Sequence, residues 1–350
     1  MVHRVRPQSD GGNMVSMKDI ATKCNVSVAT VSKALNDRND VGDETRELIK
    51  RTAKEMGYSP NSLARALRTN RSYNIGVLFV DEGRSGLTHD YFANVLDSFK
   101  ATIEDHGYDL TFINCSKKRE PRLSYLEHSR YRGYDGVVIA CIDFTDPEVI
   151  ELANSDIPLV TIDYMFNNHS GVVSNNFAGM TELMKYIVSK GHRKIAYVCG
   201  EDTAVTRNRL AAFYKVLEEN NIEIPDDYVM HGAYRSINRT EKFTDALLDR
   251  PDRPTCILYS DDYSAMGGIN SVRRHGLSVP EDISIAGYDG ITLAAKLQPS
   301  LTTIKQDTQA IGEHAAIKLL NLIEHPRTEA LEQIVIDGTL VPGKSVADIN

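Results

Sequence analysis

Apolar positions recur at helical spacing between residues 17 and 57. The segments MKDIATKC, VATVSKALN and DETRELIKRTAKEMG carry this pattern, and Gly57 closes the last of them. The spacing predicts three short helices. Only Asn25, Val26 and Ser27 separate the first two helices, and Ser27 is well placed to cap the second with its hydroxyl. Two helices joined by so short a turn cross steeply, which predicts a helix-turn-helix head in residues 14–59.

The segment after this head is predicted to be a linker with a short helix of its own. Pro60 interrupts the helical pattern, which resumes briefly in SLARALR before the polar TNRSYN. Because proline breaks a regular helix, we place the linker at residues 60–73. The polar residues 1–13 are expected to be disordered, and Met14 or Met17 is a plausible alternative start.

From Ile75 onward, short apolar runs alternate with amphipathic stretches. The runs are IGVLFV, DLTFIN, GVVIA, PLVTI, KIAYVC, TCILY and ISIAG. The amphipathic stretches lie near residues 91–106, 176–190, 207–220, 238–249 and 261–275. Such alternation predicts parallel sheets covered by helices on both faces. We therefore expect a two-lobed α/β body at residues 74–343, with a ligand cleft at the carboxyl ends of the strands, and a short tail at 344–350.

Charge is divided unevenly between these parts. The whole chain has a formal net charge of −8, which by itself argues against a nucleic-acid partner. Residues 14–71, however, hold 11 Lys and Arg against 7 Asp and Glu, a balance of +4 that leaves −12 for the remainder. A basic head on an acidic body is typical of a protein in which only one part meets phosphate.

Several other classes of protein are disfavoured by what the sequence lacks. Its five scattered cysteines have no CxxC spacing, so neither disulfides nor a zinc site is expected. No apolar run approaches the roughly 18 residues needed to span a membrane, and no signal-peptide core is present, so we expect a cytoplasmic protein. The phosphate-binding, nucleophile-elbow and HExxH motifs are also missing, and we therefore expect neither catalytic residues nor a cofactor.

The second helix of the head is the predicted DNA-reading element. In a helix-turn-helix its first residues touch base edges, which here are Val28 and Ala29, followed one turn later by Lys33. Lys33 can donate to guanine or phosphate, whereas Val28 and Ala29 offer apolar contact, for instance to a thymine methyl. The short hydroxyl donors available for phosphate are those of Ser27, Thr30 and Ser32. An ordinary three-helix bundle with a basic face is the alternative.

The full run from Met17 to Leu78 resembles the head of the LacI/GalR repressor family. The elements DIA, VSVATVSKALN, TR, GYSPN and ARAL appear in the family's order and spacing. The resemblance implies a homodimer that reads a pseudo-palindromic operator, with a hinge helix after Pro60 entering the minor groove. Leu67 matches the family's intercalating leucine. The residues that match the rest of its DNA-contacting face are Asn61, Ala64, Arg65 and Arg68.

The resemblance continues more loosely to the C-terminus and implies a periplasmic-binding-protein-like body that binds a small-molecule effector. Its landmarks are GHRKIAYVCG, RNRLAAFYKVLEE, ILYSDDYSAMGG, VPEDISIAGYDG and PSLTTIKQD. Arg209 and Asp289 match the family's effector-contacting residues, and Tyr234 matches its stacking aromatic. The other positions that align with the cleft lining are Tyr91, Phe92, Asp163 and Asp261.

Several alternatives remain open at this stage. Asp261 stands where an asparagine is common, so this extra carboxylate could favour a polyol or an amino group, or be unimportant. Arg209 and Asp289 could form a salt bridge between the lobes instead of contacting an effector. A sugar is the expected effector, although purines and a phosphorylated carrier protein also serve this family. The tail after Val341 lacks leucine heptads, so a dimer is expected, and repressor cannot be distinguished from activator.

Overall fold

The computed structural model describes residues 15–38, 40–59, 71–80, 86–114 and 122–350. The chain divides into two compact units, Met1–Ser72 and Tyr73–Asn350. The first contains the helix-turn-helix and is called the head. The second contains both sheets and is called the body.

The head has the three helices that the apolar spacing predicts. They are α1 (Met17–Cys24), α2 (Val28–Leu35) and α3 (Asp43–Glu55). Ser27 caps α2 as expected, because its hydroxyl oxygen accepts from the Thr30 amide at 3.0 Å. Ile20, Val31 and Ile49, one from each helix, are fully buried in a shared core. This core fixes the angle between α1 and α2 and leaves the start of α2 facing solvent.

The first lobe of the body is built on a six-stranded parallel sheet in the order β11-β5-β4-β3-β1-β2, where β11 is Gln333–Ile336. Its early elements are β1 (Asn74–Phe79), α4 (Asp90–Asp105), β2 (Asp109–Phe112), α5 (Tyr125–Arg132), β3 (Gly136–Ala140), α6 (Pro147–Ala153), β4 (Leu159–Ile162) and β5 (Ser170–Ser174). Neighbouring residues of a strand enter opposite cores, as Val77 and Leu78 show. Both faces of the sheet are therefore covered by apolar side chains.

The second lobe has a four-stranded parallel sheet in the order β7-β6-β8-β9. Its elements are α7 (Asn176–Ser189), β6 (Ile195–Cys199), α8 (Ala204–Glu219), β7 (Val229–His231), α9 (Ile237–Leu248), β8 (Cys256–Tyr259), α10 (Asp262–Arg274), β9 (Ser284–Ala286) and β10 (Thr303–Lys305). Its two cores again take alternate residues, with Tyr197 on one face and Val198 on the other. The predicted alternation of strands and helices is thus confirmed in both lobes.

The chain crosses between the lobes three times. After β5 it enters the second lobe, and after β10 it returns to the first through α11 (Thr308–Glu324) and β11 (Gln333–Ile336). It then crosses again to β12 (Thr339–Val341), which pairs antiparallel with β10. Two of the crossings are tied together, because the Asn175 side-chain amide donates to Asp337 at 2.8 Å. The two lobes are therefore connected by three segments of the chain.

The final residues, which we predicted as a short tail at 344–350, pack against the second lobe. Ser345 is fully buried, and its hydroxyl donates to the Ile285 carbonyl at 2.6 Å. Val346 joins an apolar core, and the Ile349 amide donates to the Lys190 carbonyl at 2.9 Å. The apolar residues of this segment have no periodic spacing, because isolated side chains anchor it and not one face of a helix or strand.

Among the elements of the described residues, three helices and five strands lie outside the predicted pattern. They are α5, α6 and α11, and β5, β7, β10, β11 and β12. In the described part of the chain, no helix is both long enough and apolar enough to cross a lipid bilayer.

Replacing Gly312 with alanine should destabilise the body, because α11 packs directly against the backbone of α4 at this residue. A Cβ atom here would lie 2.3 Å from the Val95 carbonyl oxygen and 2.8 Å from the Phe99 amide nitrogen. We expect a loss of about 2 kcal/mol or more, since overpacking against backbone outweighs the gain of about 1 kcal/mol in helix propensity. Thermal melting measures the loss. Ile317→Ala, at an exposed position of the same helix, is the control, and equal melting temperatures for the two variants would contradict the prediction.

Candidate functional sites

The start of α2 presents the predicted DNA-reading residues on the surface of the head. Ser27, Val28, Ala29 and Lys33 are exposed, and Val28 is an unusually exposed apolar side chain at 45%. Thr30 and Ser32 are half-buried. The Ser27 and Thr30 hydroxyls lie 2.8 Å apart and bond to each other, so these two donors already have an internal partner.

Two lysines of the head are paired with aspartates that follow α2. Lys33 Nζ lies 2.6 Å from an Asp40 carboxylate oxygen, and Lys50 Nζ lies 2.5 Å from Asp37. The hydrogen bonds from these lysines lower the pKa of Asp40 and of Asp37, so both carboxylates are ionised at neutral pH. The positive charge predicted to meet DNA is therefore partly neutralised within the head itself.

The five predicted hinge contacts lie outside the described residues. They are Asn61, Ala64, Arg65, Leu67 and Arg68.

A cavity of about 460 Å³ lies between the two lobes of the body. It is lined from one lobe by residues at the ends of β3 and β4 and the start of α4, and from the other by residues after β6, β7 and β9. Clefts at the carboxyl ends of parallel strands are the usual ligand site of such folds. Six of the seven predicted effector residues line this cavity, namely Tyr91, Phe92, Asp163, Arg209, Tyr234 and Asp289.

Four cavity residues have a backbone conformation that L-amino acids rarely adopt. Cys141, Asp163, Arg235 and Asp289 have φ angles of 51°, 60°, 55° and 103°. Each lies in a loop within four residues of a strand end. Strained backbone is retained where the surrounding structure requires a particular side-chain direction, and such strain is concentrated at binding sites. The loops at these strand ends are thus shaped to aim side chains into the cavity.

Arg209 forms the polar floor of the cavity. Its side chain is 3% exposed, its Nε donates to the Asn176 side-chain oxygen at 2.7 Å, and Nη1 donates to the Ser260 carbonyl at 2.7 Å. Nη2 lies 3.9 Å from Asp289 Oδ1, and the guanidinium carbon stacks 3.6 Å from the centre of the Tyr288 ring. The Arg209–Asp289 pair therefore lies within one lobe and is not the salt bridge between lobes that the sequence left open.

Asp289 is an acid whose buried side chain borders the cavity. Its Oδ1 accepts from Gln306 Nε2 at 2.7 Å, and its side chain is 14% exposed. Burial raises the pKa of Asp289 to about 7, although Arg209 opposes this shift, and Asp261 and Asp163 add to it. The Asp289 carboxyl group therefore titrates in the neutral pH range. It can donate a hydrogen bond when it is protonated, and it can only accept hydrogen bonds when it is ionised.

Asp163 and Tyr91 face the cavity from the opposite lobe. Burial raises the pKa of Asp163, while the neighbouring Tyr91 hydroxyl and Ser174 amide lower it. Burial also raises the pKa of Tyr91, with the Asp163 charge adding to the shift. A carboxyl group and a phenol thus offer one acceptor and one donor side by side.

Tyr234 lies flat over the end of β6. Its hydroxyl bonds to the Thr206 hydroxyl at 2.8 Å, and its amide donates to Glu201 at 2.9 Å. A Cβ atom on residue 200 would lie 2.3 Å from the Tyr234 ring, so only glycine fits at that position. Gly200 therefore determines where this aromatic side chain enters the cavity.

Aromatic rings cover the first-lobe wall. Phe92 packs edge-on against His89 with ring centres 5.0 Å apart. Phe144 and Tyr164 stack with ring centres 4.3 Å apart and planes 5° from parallel. Sequence reasoning missed Phe144, Tyr164 and Arg235, although the first two follow the apolar runs of β3 and β4 within four residues and could have been found by that signal.

Asp261 departs from the expectation, because it does not line the cavity. It is 1% exposed and caps α10, accepting from the Ser264 amide at 2.8 Å. It also accepts from the Ser260 and Ser264 hydroxyls and from the Arg235 amide. These four donors all bond to the Asp261 carboxylate. The carboxylate that stands in place of asparagine is therefore hydrogen-bonded inside the lobe and does not reach the cavity.

Comparisons with known proteins show which protein families the two parts of the chain are similar to. The model for bacterial regulatory proteins of the lacI family matches residues 16–61, and the model for a periplasmic binding protein-like domain matches residues 184–346. A curated relative, the HTH-type transcriptional repressor PurR of Escherichia coli O139:H28 (strain E24377A / ETEC), is 31% identical over 346 residues. The match covers 96% of this chain and 98% of that protein.

Solved structures share the architecture. The lac repressor dimer bound to operator and the anti-inducer ONPF superposes with a TM-score of 0.81 at 24% identity, over 96% of this chain and 100% of that one. The CelR–cellobiose complex gives 0.67 at 23% identity, over 95% and 99%. A LacI family regulator from Enterococcus faecium with bound ribose gives 0.68 at 25% identity, over 79% and 100%. These likenesses confirm the predicted fold class.

The raised pKa of Asp289 predicts a measurable pH dependence. Its folded value of about 7 exceeds the unfolded value of about 4, so its contribution to stability is complete below pH 4 and is lost as pH rises through 7. Asparagine mimics the neutral acid and should not show this loss. Between pH 5 and 8, the melting temperature of Asp289→Asn should therefore rise relative to the wild type.

The control for this experiment is Asp156→Asn, because Asp156 is 85% exposed, pairs only with an arginine among the ion pairs of the described residues, and does not line the cavity. A melting difference between wild type and Asp289→Asn that stays constant with pH would show that Asp289 titrates normally.

Proposed function

This chain belongs to the LacI family of bacterial regulatory proteins, and we propose that it represses transcription by binding an operator. A small molecule in the body cavity then determines whether the protein releases or retains that operator. It is a DNA-binding transcription regulator. Operator DNA is its macromolecular partner, and we infer that it acts in the cytoplasm, where bacterial DNA lies.

The observation that carries the effector proposal is the division of the cavity into two unlike walls. Aromatic rings line the first-lobe wall, with Phe92, Phe144 and Tyr164 among them. Hydrogen-bonding groups line the opposite wall, including Arg209, Asp289 and Gln306. A sugar ring has one apolar face and a rim of hydroxyl groups, so it can stack on the first wall while donating to carboxylates on the second. Pockets with few polar groups on an aromatic background are typical of small-molecule sites.

The charges of the cavity favour a neutral ligand. Its lining includes the carboxyl groups of Asp143, Asp163, Glu201, Asp202 and Asp289. Its guanidinium groups, those of Arg209 and Arg235, are each paired with an aspartate. An anionic ligand such as a sugar phosphate would have to lose its hydration without gaining an uncommitted cation. We therefore infer an uncharged mono- or disaccharide, as cellobiose and ribose are for two structurally similar regulators.

A heteroaromatic base is the second candidate. The parallel rings of Phe144 and Tyr164 provide a flat stacking surface, and the side-chain amide of Gln306 could pair with the edge of a base. The carboxylate-rich rim favours hydroxyl groups over ring nitrogens, so this candidate ranks second.

We propose that the functional unit is a homodimer. The lac repressor, with the same architecture, is a dimer on its operator. Two heads then read the halves of a pseudo-palindrome, and the hinge segments, with Leu67 as the wedge, enter the minor groove between them. A helix as short as the predicted hinge is unstable alone, so ligand-driven movement of the lobes can form or melt it.

Operator binding by the purified protein tests the proposal. DNA upstream of the protein's own and neighbouring genes is titrated in the presence of neutral sugars, sugar phosphates and purine bases. A neutral sugar that shifts the affinity supports the proposal, and a shift caused only by a base or a phosphate assigns the effector to another class. Failure to bind any site at low salt would overturn the assignment of operator binding.

Asp289→Ala should separate DNA binding from the ligand response. The variant is expected to bind operator as tightly as the wild type and to need about tenfold more effector, since it loses a hydrogen bond and leaves the matching group of the effector unpaired. Binding curves with and without the active compound measure both quantities. Asp249→Ala removes an exposed carboxylate from the same lobe and should behave as wild type. A full response in Asp289→Ala would place the effector elsewhere.

Asp40→Asn should strengthen operator binding, because Lys33 then no longer has to break its ion pair with Asp40 before it contacts DNA. We expect affinity to rise by a few-fold at about 0.1 M salt and the dependence of log K on log salt to steepen by up to about one. Asp37→Asn is the matched control, since it removes the same charge but frees Lys50 instead. Equal effects of the two variants would mean that only net charge matters and that Lys33 has no special contact.

A further inference from the structure

A polar cluster joins the two lobes beside the cavity. Arg235 follows β7 in the second lobe, and Tyr263 is the second residue of α10 in the same lobe. Asp90 is the first residue of α4 in the opposite lobe. Arg235 Nη1 lies 3.2 Å from Asp90 Oδ2, and the Tyr263 hydroxyl donates to the same oxygen at 2.6 Å. The contact is therefore made by two donors on one lobe and one carboxylate on the other.

Further contacts hold the Arg235 side chain in place. Its Nη2 donates to the Thr88 carbonyl of the first lobe at 3.2 Å, and its guanidinium lies 3.9 Å above the Tyr263 ring. Its amide donates to Asp261, and its φ of 55° fixes a strained backbone. The Arg235 side chain is only 14% exposed, so solvent screens its pairing with Asp90 less than that of a surface ion pair.

The chemistry of Asp90 agrees with this geometry. Partial burial alone would raise the pKa of Asp90, but hydrogen bonds from Tyr263 and Arg235 lower it below its usual value. The carboxylate is therefore ionised throughout the neutral range, and both hydrogen bonds to it are charge-assisted.

We propose that Asp90 and Tyr263 are positioning residues for the effector site, which hold Arg235 across the cleft so that it closes the cavity and forms part of its wall. This proposal rests on the proposed function, because it assigns a role in effector binding. The three side chains stabilise the closed arrangement of the lobes before any ligand arrives. Effector affinity and the rate of ligand entry are consequently set in part by residues that need not touch the ligand.

Cys141 provides a reporter of cleft opening in the native chain. It lines the cavity and is half-buried, whereas Cys24 belongs to the head, and Cys199 and Cys256 are buried in the second lobe. The rate at which N-ethylmaleimide labels Cys141, resolved from the other cysteines by peptide mass spectrometry, therefore measures access to the cavity. The same experiment reports global unfolding through Cys199 and Cys256.

Asp90→Asn and Tyr263→Phe should each speed the labelling of Cys141 in the ligand-free protein. We expect an increase of roughly five- to tenfold for Asp90→Asn and less for Tyr263→Phe, which loses one hydrogen bond and keeps the ring. Labelling of Cys24, Cys199 and Cys256 should not change. The matched control is Glu104→Gln, which removes an exposed ion pair with Lys100 from the same helix α4.

A rate for Cys141 in Asp90→Asn equal to that in Glu104→Gln would overturn the proposal. Faster labelling of Cys199 and Cys256 together with Cys141 would also overturn it, because the three residues would then support overall stability and not closure. The labelling needs no effector, so its outcome is independent of the sugar titration that tests the proposed function. Where that titration identifies a compound, Asp90→Asn should also raise its dissociation constant and its dissociation rate.

Discussion

The burial of the Arg209 guanidinium is the constraint on which the cavity depends. A charged group removed from water must be paired or hydrogen-bonded, and Arg209 meets this requirement through α7, the end of β8 and the loop after β9. Two of these contacts, those to Asn176 and Asp289, are made to residues that line the cavity. Removing the arginine would leave Asp289 buried beside other carboxyl groups, so the polar wall is built around one positive charge.

Much of the architecture could be predicted from the sequence because it follows from periodicity. The apolar runs identified seven strands, since residues buried on both faces of a sheet give continuous hydrophobic segments. Of the strands that were missed, β7, β10 and β12 have three residues each and carry little pattern, and β11 lies at an edge of its sheet. β5 is longer and lies inside its sheet, but its sequence SGVVS contains only two large apolar residues. Helix α11 was missed although its apolar face is long, because it follows the last predicted strand and completes the other lobe.

The site could be predicted only where a motif identified it. Arg209 and Asp289 were found from the family's landmarks, and the structure brings both to the cavity. Asp261 shows the limit of this reasoning, because a residue beside the cleft in sequence turned inward to cap a helix. Arg235 could not have been found, since its position depends on a strained backbone and on partners 28 and 145 residues away. The kinds of DNA contact that the head can make were predicted from its residue types. The pairing of Lys33 with Asp40 was not, because it depends on the turn after α2, and the spacing of apolar residues carries no information about turns.

The three crossings between the lobes also determine when the protein can fold during synthesis. The first-lobe sheet ends in β11, and its core contains Ile311 and Leu319 from α11, so the first half of the chain emerges from the ribosome without its last strand and covering helix. The core of the second lobe is likewise incomplete until Val346 has been synthesised. Neither lobe can complete its core until translation is nearly finished, and the open edge of β5 is exposed to non-native pairing throughout that interval. The topology that places a cleft between two connected lobes therefore makes the nascent body dependent on its last forty residues.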